Sequence, residues 1–232
     1  TDSIIKETAV RFSTDGDKMT IGAMAKGSGM IYPLMATMLC FVTTDALISK
    51  PALDAALRNS VEKSFHRITV DGDRSTNDTV LLLANGFAGN HEISARSKAF
   101  DKFQKALDHV MIAMAKMIVK DEEVVTPNRQ LAPFGTRSVQ DAKKIGFSIA
   151  NSNLVKTALA GENPNWGRIA SAAGSSGVRM KEEKLSIFIG GERVMKNGSP
   201  ADCNAGKVKR HLKEDELRKV LSACLSDILF TF

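Results

Sequence analysis

Hydrophobic and polar residues alternate through Ala9-Val10-Arg11-Phe12-Ser13 and again through Met19-Thr20-Ile21, with Asp15-Gly16-Asp17 between them. Period-two alternation on both sides of a glycine-bearing turn predicts two strands joined there. A mainly apolar run over residues 37–43 reads as a buried strand. The period then lengthens. Leu53, Leu57, Val61 and Phe65 stand four apart after Ser49 and Pro51, which predicts a helix with one apolar stripe. Strands are expected at residues 68–70 and 79–84, around a polar loop over 71–78. A long helix is predicted over 91–120, where Phe100, Phe103, Leu107, Met111, Met114 and Ile118 recur at three- and four-residue steps. Its methionines read as core filling rather than as a cofactor site.

Asp121-Glu122-Glu123 closes that helix, and Pro127 and Pro133 mark a loop that serves as the expected domain boundary. Beyond it, Ser138 with Asp141 gives a capped start to a helix carrying Ala142, Ile145 and Ile149. Residues 185–189 and 192–195 flank Gly190-Gly191 as a hairpin. A charged helix is predicted over 213–225. The organisation expected is a core domain at 1–127 and a smaller α/β domain at 128–232.

Composition narrows the function classes. The chain has 232 residues, 43% of them hydrophobic and 25% charged, which fits a soluble globular protein. No apolar run approaches the roughly 20 residues that span a bilayer, so no membrane association is expected. Cys40, Cys203 and Cys224 are odd in number and widely spaced, and His66, His91, His109 and His211 do not cluster with them. Neither a disulfide framework nor a metal site is indicated, and a reducing compartment fits. The net charge of +6 invites a nucleic-acid reading. Only residues 207–213 are densely basic, and no aromatic stacking pattern accompanies them, so a solvated surface is the reading preferred. Asp71, Asp73, Asn77 and Asp78 bring a calcium loop to mind, but the glutamate and glycine spacing of an EF-hand is missing. Turn formation accounts for them.

The candidate chemistry lies in residues 24–46. A glycine-rich turn with a lysine, Lys26-Gly27-Ser28-Gly29, runs through Pro33 to Ala36-Thr37 and into the apolar run. Gly22, Gly27 and Gly29 permit backbone geometry closed to other residues. A threonine inside a chain is a poor nucleophile. Breaking the Ala36–Thr37 bond would give Thr37 a free α-amine, with a reference pKa of about 7.7–8.0, to act as base for its own hydroxyl.

The whole segment resembles the self-cleavage region of the ornithine acetyltransferases, the bifunctional glutamate N-acetyltransferase/amino-acid acetyltransferases. Further matches follow in the family's order: Val70-Asp71-Gly72-Asp73-Arg74-Ser75-Thr76-Asn77-Asp78-Thr79-Val80, then Ile149-Ala150-Asn151-Ser152-Asn153-Leu154-Val155-Lys156-Thr157-Ala158, then Gly161-Glu162-Asn163-Pro164-Asn165-Trp166-Gly167-Arg168-Ile169. The likeness covers about residues 1 to 195 and fades after Pro200.

The resemblance implies a layered α/β sandwich similar to amidohydrolases with N-terminal nucleophiles. It implies cleavage between Ala36 and Thr37, with Thr37 then carrying the acetyl group from N-acetylornithine to glutamate in arginine biosynthesis. Lys26, eleven residues before Thr37, matches a lysine that contacts substrate, and Glu123 matches a substrate-contacting glutamate. Lys26 also reads as a surface charge and Glu123 as a helix end, and Glu122 competes for the same position. Thr76, Asn77 and Asp78 match supporting polar groups beside the site. No cofactor is required, though acetyl-CoA is compatible as a second donor.

Thr1-Asp2-Ser3 with Lys6 resembles an internal family segment. The expected partners therefore include an upstream segment of the same precursor, in a hetero-oligomer of cleaved chains. The family's oxyanion Thr-Gly pair and its C-terminal Asn and Thr have no match in these residues. The expected location is cytoplasmic, or the mitochondrial matrix or plastid in a eukaryote. Two other readings stand beside acetyl transfer: a threonine-nucleophile amidase or aminopeptidase, and a catalytically incomplete fragment or pseudoenzyme.

Overall fold

The computed structural model describes residues 2–32, 38–74, 76–121, 130–133, 135–213 and 230–231. The chain divides into two compact units, Thr1–Glu123 and Val124–Phe232. The expected boundary after residue 127 falls in 122–129, outside the described residues.

The first unit is built on a four-stranded sheet. β1 (Lys6–Thr14) and β2 (Asp17–Lys26) form the predicted antiparallel hairpin, turned by Asp15 and Gly16 at φ 54° and 96°. β3 (Leu39–Thr44) pairs antiparallel with β2. α1 (Lys50–Lys63) then carries the chain over to β4 (Thr79–Ala84), which runs parallel to β3, and α2 (Lys98–Lys120) closes the unit. Met19, Ile21, Cys40 and Val42 share one sheet face and are buried with Phe103, Leu107, Val110, Met111 and Met114 of α2. Burying this apolar surface drives the layering.

The opposite face stays open. Met24, Phe41 and Leu81 lie in one cross-strand row at 60%, 42% and 42% exposure, with Leu83 beyond them. The apolar run of β3 is therefore buried on one side only, where the sequence suggested a strand buried throughout.

Three helix expectations shift. The buried stripe of α1 is Ala52, Ala56 and Ser60 with Val61, one position off the predicted leucines, which pack at its margin. Small residues let α1 approach α2 closely enough for Gln104 Nε2 to donate to Ala56 O and to Ser60 Oγ. Phe65 lies past the helix end in a 3-10 turn. α2 begins at Lys98 rather than near residue 91. Ser97 caps it by accepting from Phe100 N, while Ile93 forms an extended bridge with Ile48 and is almost fully buried. Residues 68–70 form no strand, and Val70 N–H donates instead to Ile31 O.

The second unit begins with β5 (Gln130–Leu131), followed by α3 (Val139–Ala150), α4 (Asn153–Ala160) and α5 (Trp166–Gly174). Ser138 caps α3 as predicted, accepting from Asp141 N. β6 (Ile187–Ile189) and β7 (Glu192–Lys196) form the expected hairpin, extended by β8 (Ser199–Pro200). Gly190 and Gly191 both have positive φ, and a Cβ on Gly190 would fall 2.3 Å from the His211 ring, so only glycine fits there. That histidine is on α6 (Ala205–Lys213), which starts eight residues before the predicted charged helix; residues 214–229 lie outside the described residues. β9 (Phe230–Thr231) pairs with β5. The dense basic stretch is the outer side of α6: Val208 and Leu212 are buried, while Lys207 and Lys213 reach Glu192 and Glu162.

Candidate active site

Three strand ends meet at one end of the first sheet. β2 finishes at Lys26, β3 starts at Leu39 and β4 starts at Thr79, and the register sets Lys26 opposite Leu39 and Leu39 opposite Thr79. Lys26 is exposed and shares the open face with Met24, since alternate residues of a strand point the same way. Ala36 and Thr37 lie in 33–37, outside the described residues, as do Glu122 and Glu123. The described residues on either side of 33–37 are closely held.

Three aspartates, one near the start of the chain and two in the loop 71–78, accept backbone N–H groups of the β2–β3 link. Asp2 Oδ1 accepts from Gly27 N at 2.7 Å. Asp71 accepts from Met30 N at 2.5 Å and from Ile31 N at 3.2 Å. Asp78 Oδ1 accepts from Met38 N at 2.5 Å. Thr79 N donates to Met38 O at 2.9 Å, and the Arg74 guanidinium lies 5.2 Å from the centre of the Tyr32 ring. Charge-assisted bonds to backbone N–H groups are the stronger kind. The polar loop that resembled a calcium site thus spends Asp71 and Asp78 on the backbone. Among the described residues no group of three or more His, Cys, Asp or Glu is placed to hold a metal.

Of the three glycines singled out, Gly27 alone has positive φ, at 130°, and Met30 takes the other left-handed position at 58°. Gly22 is an ordinary strand residue.

Behind the link is a buried ion cluster. The Lys6 ammonium is fully buried and pairs with Asp2 at 2.5 Å and with the equally buried Asp121, which caps the C-terminus of α2. Asp121 also accepts from Ser3 N and Ser3 Oγ. Burial alone would push the Asp121 carboxyl up, but the hydrogen bonds from Lys6 and Ser3 and the Lys6 charge hold it below the ordinary carboxylate value. Asp2 has the same balance: burial opposes ionisation, and Lys6, Gly27 N–H and the charge of Lys26 outweigh it. The cluster thus ties the residue after Lys26 to the helix end that precedes Glu122.

Asp78 goes the other way. Burial raises its pKa despite the Met38 N–H and the Lys26 charge, and its Oδ2 is buried without a hydrogen-bond partner among the described residues. Cys40, near the proposed nucleophile in sequence, is pushed up to about 12 by burial and is no rival nucleophile.

Sequence reasoning noted Asp2 and Lys6 in a family-like segment and Asp121 at a helix end, but gave none of them a part in the site. Lys6 did carry a signal: it stands in phase with Thr8, Val10 and Phe12, on the core-facing side of β1.

Residues 1–224 match the model of the ArgJ family. The chain belongs to the ArgJ family. The arginine biosynthesis bifunctional protein ArgJ of Oceanobacillus iheyensis is 45% identical over 221 residues, covering 95% of this chain and 54% of that protein. The ArgJ of Bacillus subtilis is 42% identical over 227 residues, covering 98% and 56%. The chain spans about half the length of these curated ArgJ relatives. A crystal structure of ArgJ from Bacillus halodurans superposes with a TM-score of 0.77 at 35% identity, over 82% of this chain and 90% of that one. The expected α/β fold is therefore that of an ArgJ protein.

Proposed function

We propose that this chain supplies the nucleophile of an enzyme that moves an acetyl group from N-acetylornithine to glutamate in arginine biosynthesis. The observation that carries the reading is the strand register of an ArgJ-family chain, which sets Lys26 across from Leu39, two residues past Thr37. Cleavage between Ala36 and Thr37 frees the Thr37 amine. Thr37 Oγ then bonds to the acetyl carbon while its proton passes to that amine. The intermediate collapses, the C–N bond to ornithine breaks, and the departing amine takes the proton. Glutamate reverses the sequence and leaves with the acetyl group.

Lys26 offers a positive charge to a substrate carboxylate or to the developing oxyanion, and Glu123 pairs with the cationic end of ornithine. Acetyl-CoA is a second donor compatible with the same acyl-enzyme. The relatives' greater length and the open apolar row Met24, Phe41 and Leu81 support an upstream segment of the same precursor as partner. A face of this kind marks an interaction site. No described helix is long and apolar enough to cross a membrane. The bacterial relatives support the cytoplasm as the place of the reaction.

The test is to form acetyl-enzyme from labelled N-acetylornithine with the complete gene product and to chase it with and without glutamate. Label moving to glutamate faster than to water is the expected result. Release to water at the same rate in both arms would establish an amidase instead, and no acyl-enzyme at all would establish an inactive protein.

A further inference from the structure

We infer that the second unit carries a nucleotide-binding cleft between its 135–137 loop and its 178–184 loop. The inference is independent of the reading of Thr37.

The cleft holds about 610 Å³ and is lined by described residues of that unit alone. A cavity of this size takes a small organic molecule rather than a single ion. Three kinds of group line it. Arg137, Arg179, Lys181 and Lys184 bring positive charge and are exposed at the rim. Ile145, Val178, Met180 and Leu185 form an apolar floor, buried or half-buried and packed into the core of the unit. Asp141 and Glu183 add two carboxylates.

Both walls are held by their own hydrogen bonds. Gly135, at φ 78°, leads into Thr136, whose hydroxyl donates to Ser138 O at 3.0 Å where Ser138 caps α3. On the other side, Lys184 N donates to Lys181 O and Leu185 N to Glu182 O, both at 2.9 Å, closing a 3-10 turn. Gly198 N donates to Leu185 O at 2.9 Å. A Cβ on Gly198 would fall 2.8 Å from Glu182 O, so the β7–β8 turn seats against this loop as only glycine allows. The four cations thus stand on ordered backbone from two separate parts of the sequence.

The lining selects the ligand. Four positive charges against two carboxylates leave an excess that draws an anion, and apolar walls focus that field. Guanidinium groups match phosphate oxygens through parallel pairs of hydrogen bonds, and lysines add point charge. Inorganic phosphate alone would leave the apolar floor facing water. That floor suits a flat, weakly polar ring, and the carboxylates accept from hydroxyl or amino hydrogens. Phosphates, a flat ring and hydroxyl or amino donors occur joined together in a nucleotide.

The test measures ADP binding to the complete gene product by isothermal titration calorimetry, with adenosine and pyrophosphate as comparison probes. ADP is expected to bind more tightly than either. Arg137→Met and Arg179→Met should each weaken ADP by about tenfold, the factor that one hydrogen bond to a charged group carries. Lys209→Met, which removes an exposed cation of α6 outside the cleft, should leave ADP affinity unchanged. No ADP binding to the parent overturns the inference. So does an affinity that falls no further in the arginine variants than in Lys209→Met, which is the mark of diffuse surface charge. Pyrophosphate binding as tightly as ADP overturns the nucleotide class, since the apolar floor would then contribute nothing. Adenosine binding as tightly as ADP overturns it as well, because the cations would then be idle. Both arginines are exposed, and thermal unfolding checks that their variants fold as the parent does. Should either fail to fold, Lys181→Met and Lys184→Met take its place with the same expectation.

Discussion

The helix-covered face of the first sheet and its open end at Lys26 are held by different forces. Behind the sheet, Met19, Ile21 and Val42 interlock with Phe103, Leu107 and Met111, and almost every partner is apolar. At the open end, Asp2, Asp71 and Asp78 hold Gly27, Met30, Ile31 and Met38 by their backbone N–H groups, and Lys6 and Asp121 lie behind them. Packing energy is spread over many contacts, whereas a few directional bonds fix atoms to tenths of an ångström. A site that must place an amine, a hydroxyl and a lysine needs the second kind of support.

The comparison breaks most visibly at Lys6, where the two kinds of construction meet. Lys6→Met keeps the stem but leaves Asp121 buried without its cation, at a cost of about 3–5 kcal/mol read from urea unfolding. The pH dependence carries the sign. Asp2 and Asp121 have folded-state pKa values below the unfolded ones, so their contribution is present above the ordinary carboxylate value and disappears as pH falls through the lowered ones. The parent should lose stability in acid below pH ~4, and Lys6→Met should lose that dependence. An unchanged acid limb in the variant would show that the pairing contributes nothing to the fold.

On the packed face, Leu107→Ala should cost about 2–5 kcal/mol while the remaining folded protein keeps its KM. A KM that climbs with no change in unfolding would show that the two regions are not separable.

These two regions were unequally legible in the sequence. The buried stripe of α2 and the hairpins at Asp15-Gly16 and Gly190-Gly191 follow from short-range periodicity and turn chemistry. α1 slipped by one position because close helix contact favours Ala52, Ala56 and Ser60 over the larger leucines. The start of α2 was placed too early because the extended bridge at Ile93 has no helical period to betray it.

The site was legible only through the likeness of its motifs to a family. No pattern within a few residues links Asp78 to Met38 or Asp71 to Met30, since each pair is about forty residues apart in sequence. The polar loop 71–78 was conspicuous, yet its composition could not say that its carboxylates face backbone N–H groups.

At Lys26, replacement by Met should lower acetyl transfer by about 10²-fold, equivalent to about 2.7 kcal/mol, with little change in unfolding. Kinetics indistinguishable from the parent would make Lys26 an ordinary surface charge. The smallest effect belongs to Thr1. Its segment matches an internal part of the family. Thr1→Ala should leave transfer within about threefold of the parent, well under 1 kcal/mol. Loss of the acyl-enzyme on that change, with Thr37 intact, would move the nucleophile from Thr37 to Thr1.

The most direct test of the account is intact-mass measurement with N-terminal sequencing of the complete gene product and its Thr37→Ala variant, purified without added protease. The parent should yield a new chain beginning Thr37-Met38-Leu39-Cys40, and Thr37→Ala should stay whole and inactive. A parent that transfers acetyl while continuous through Ala36–Thr37 would contradict the account.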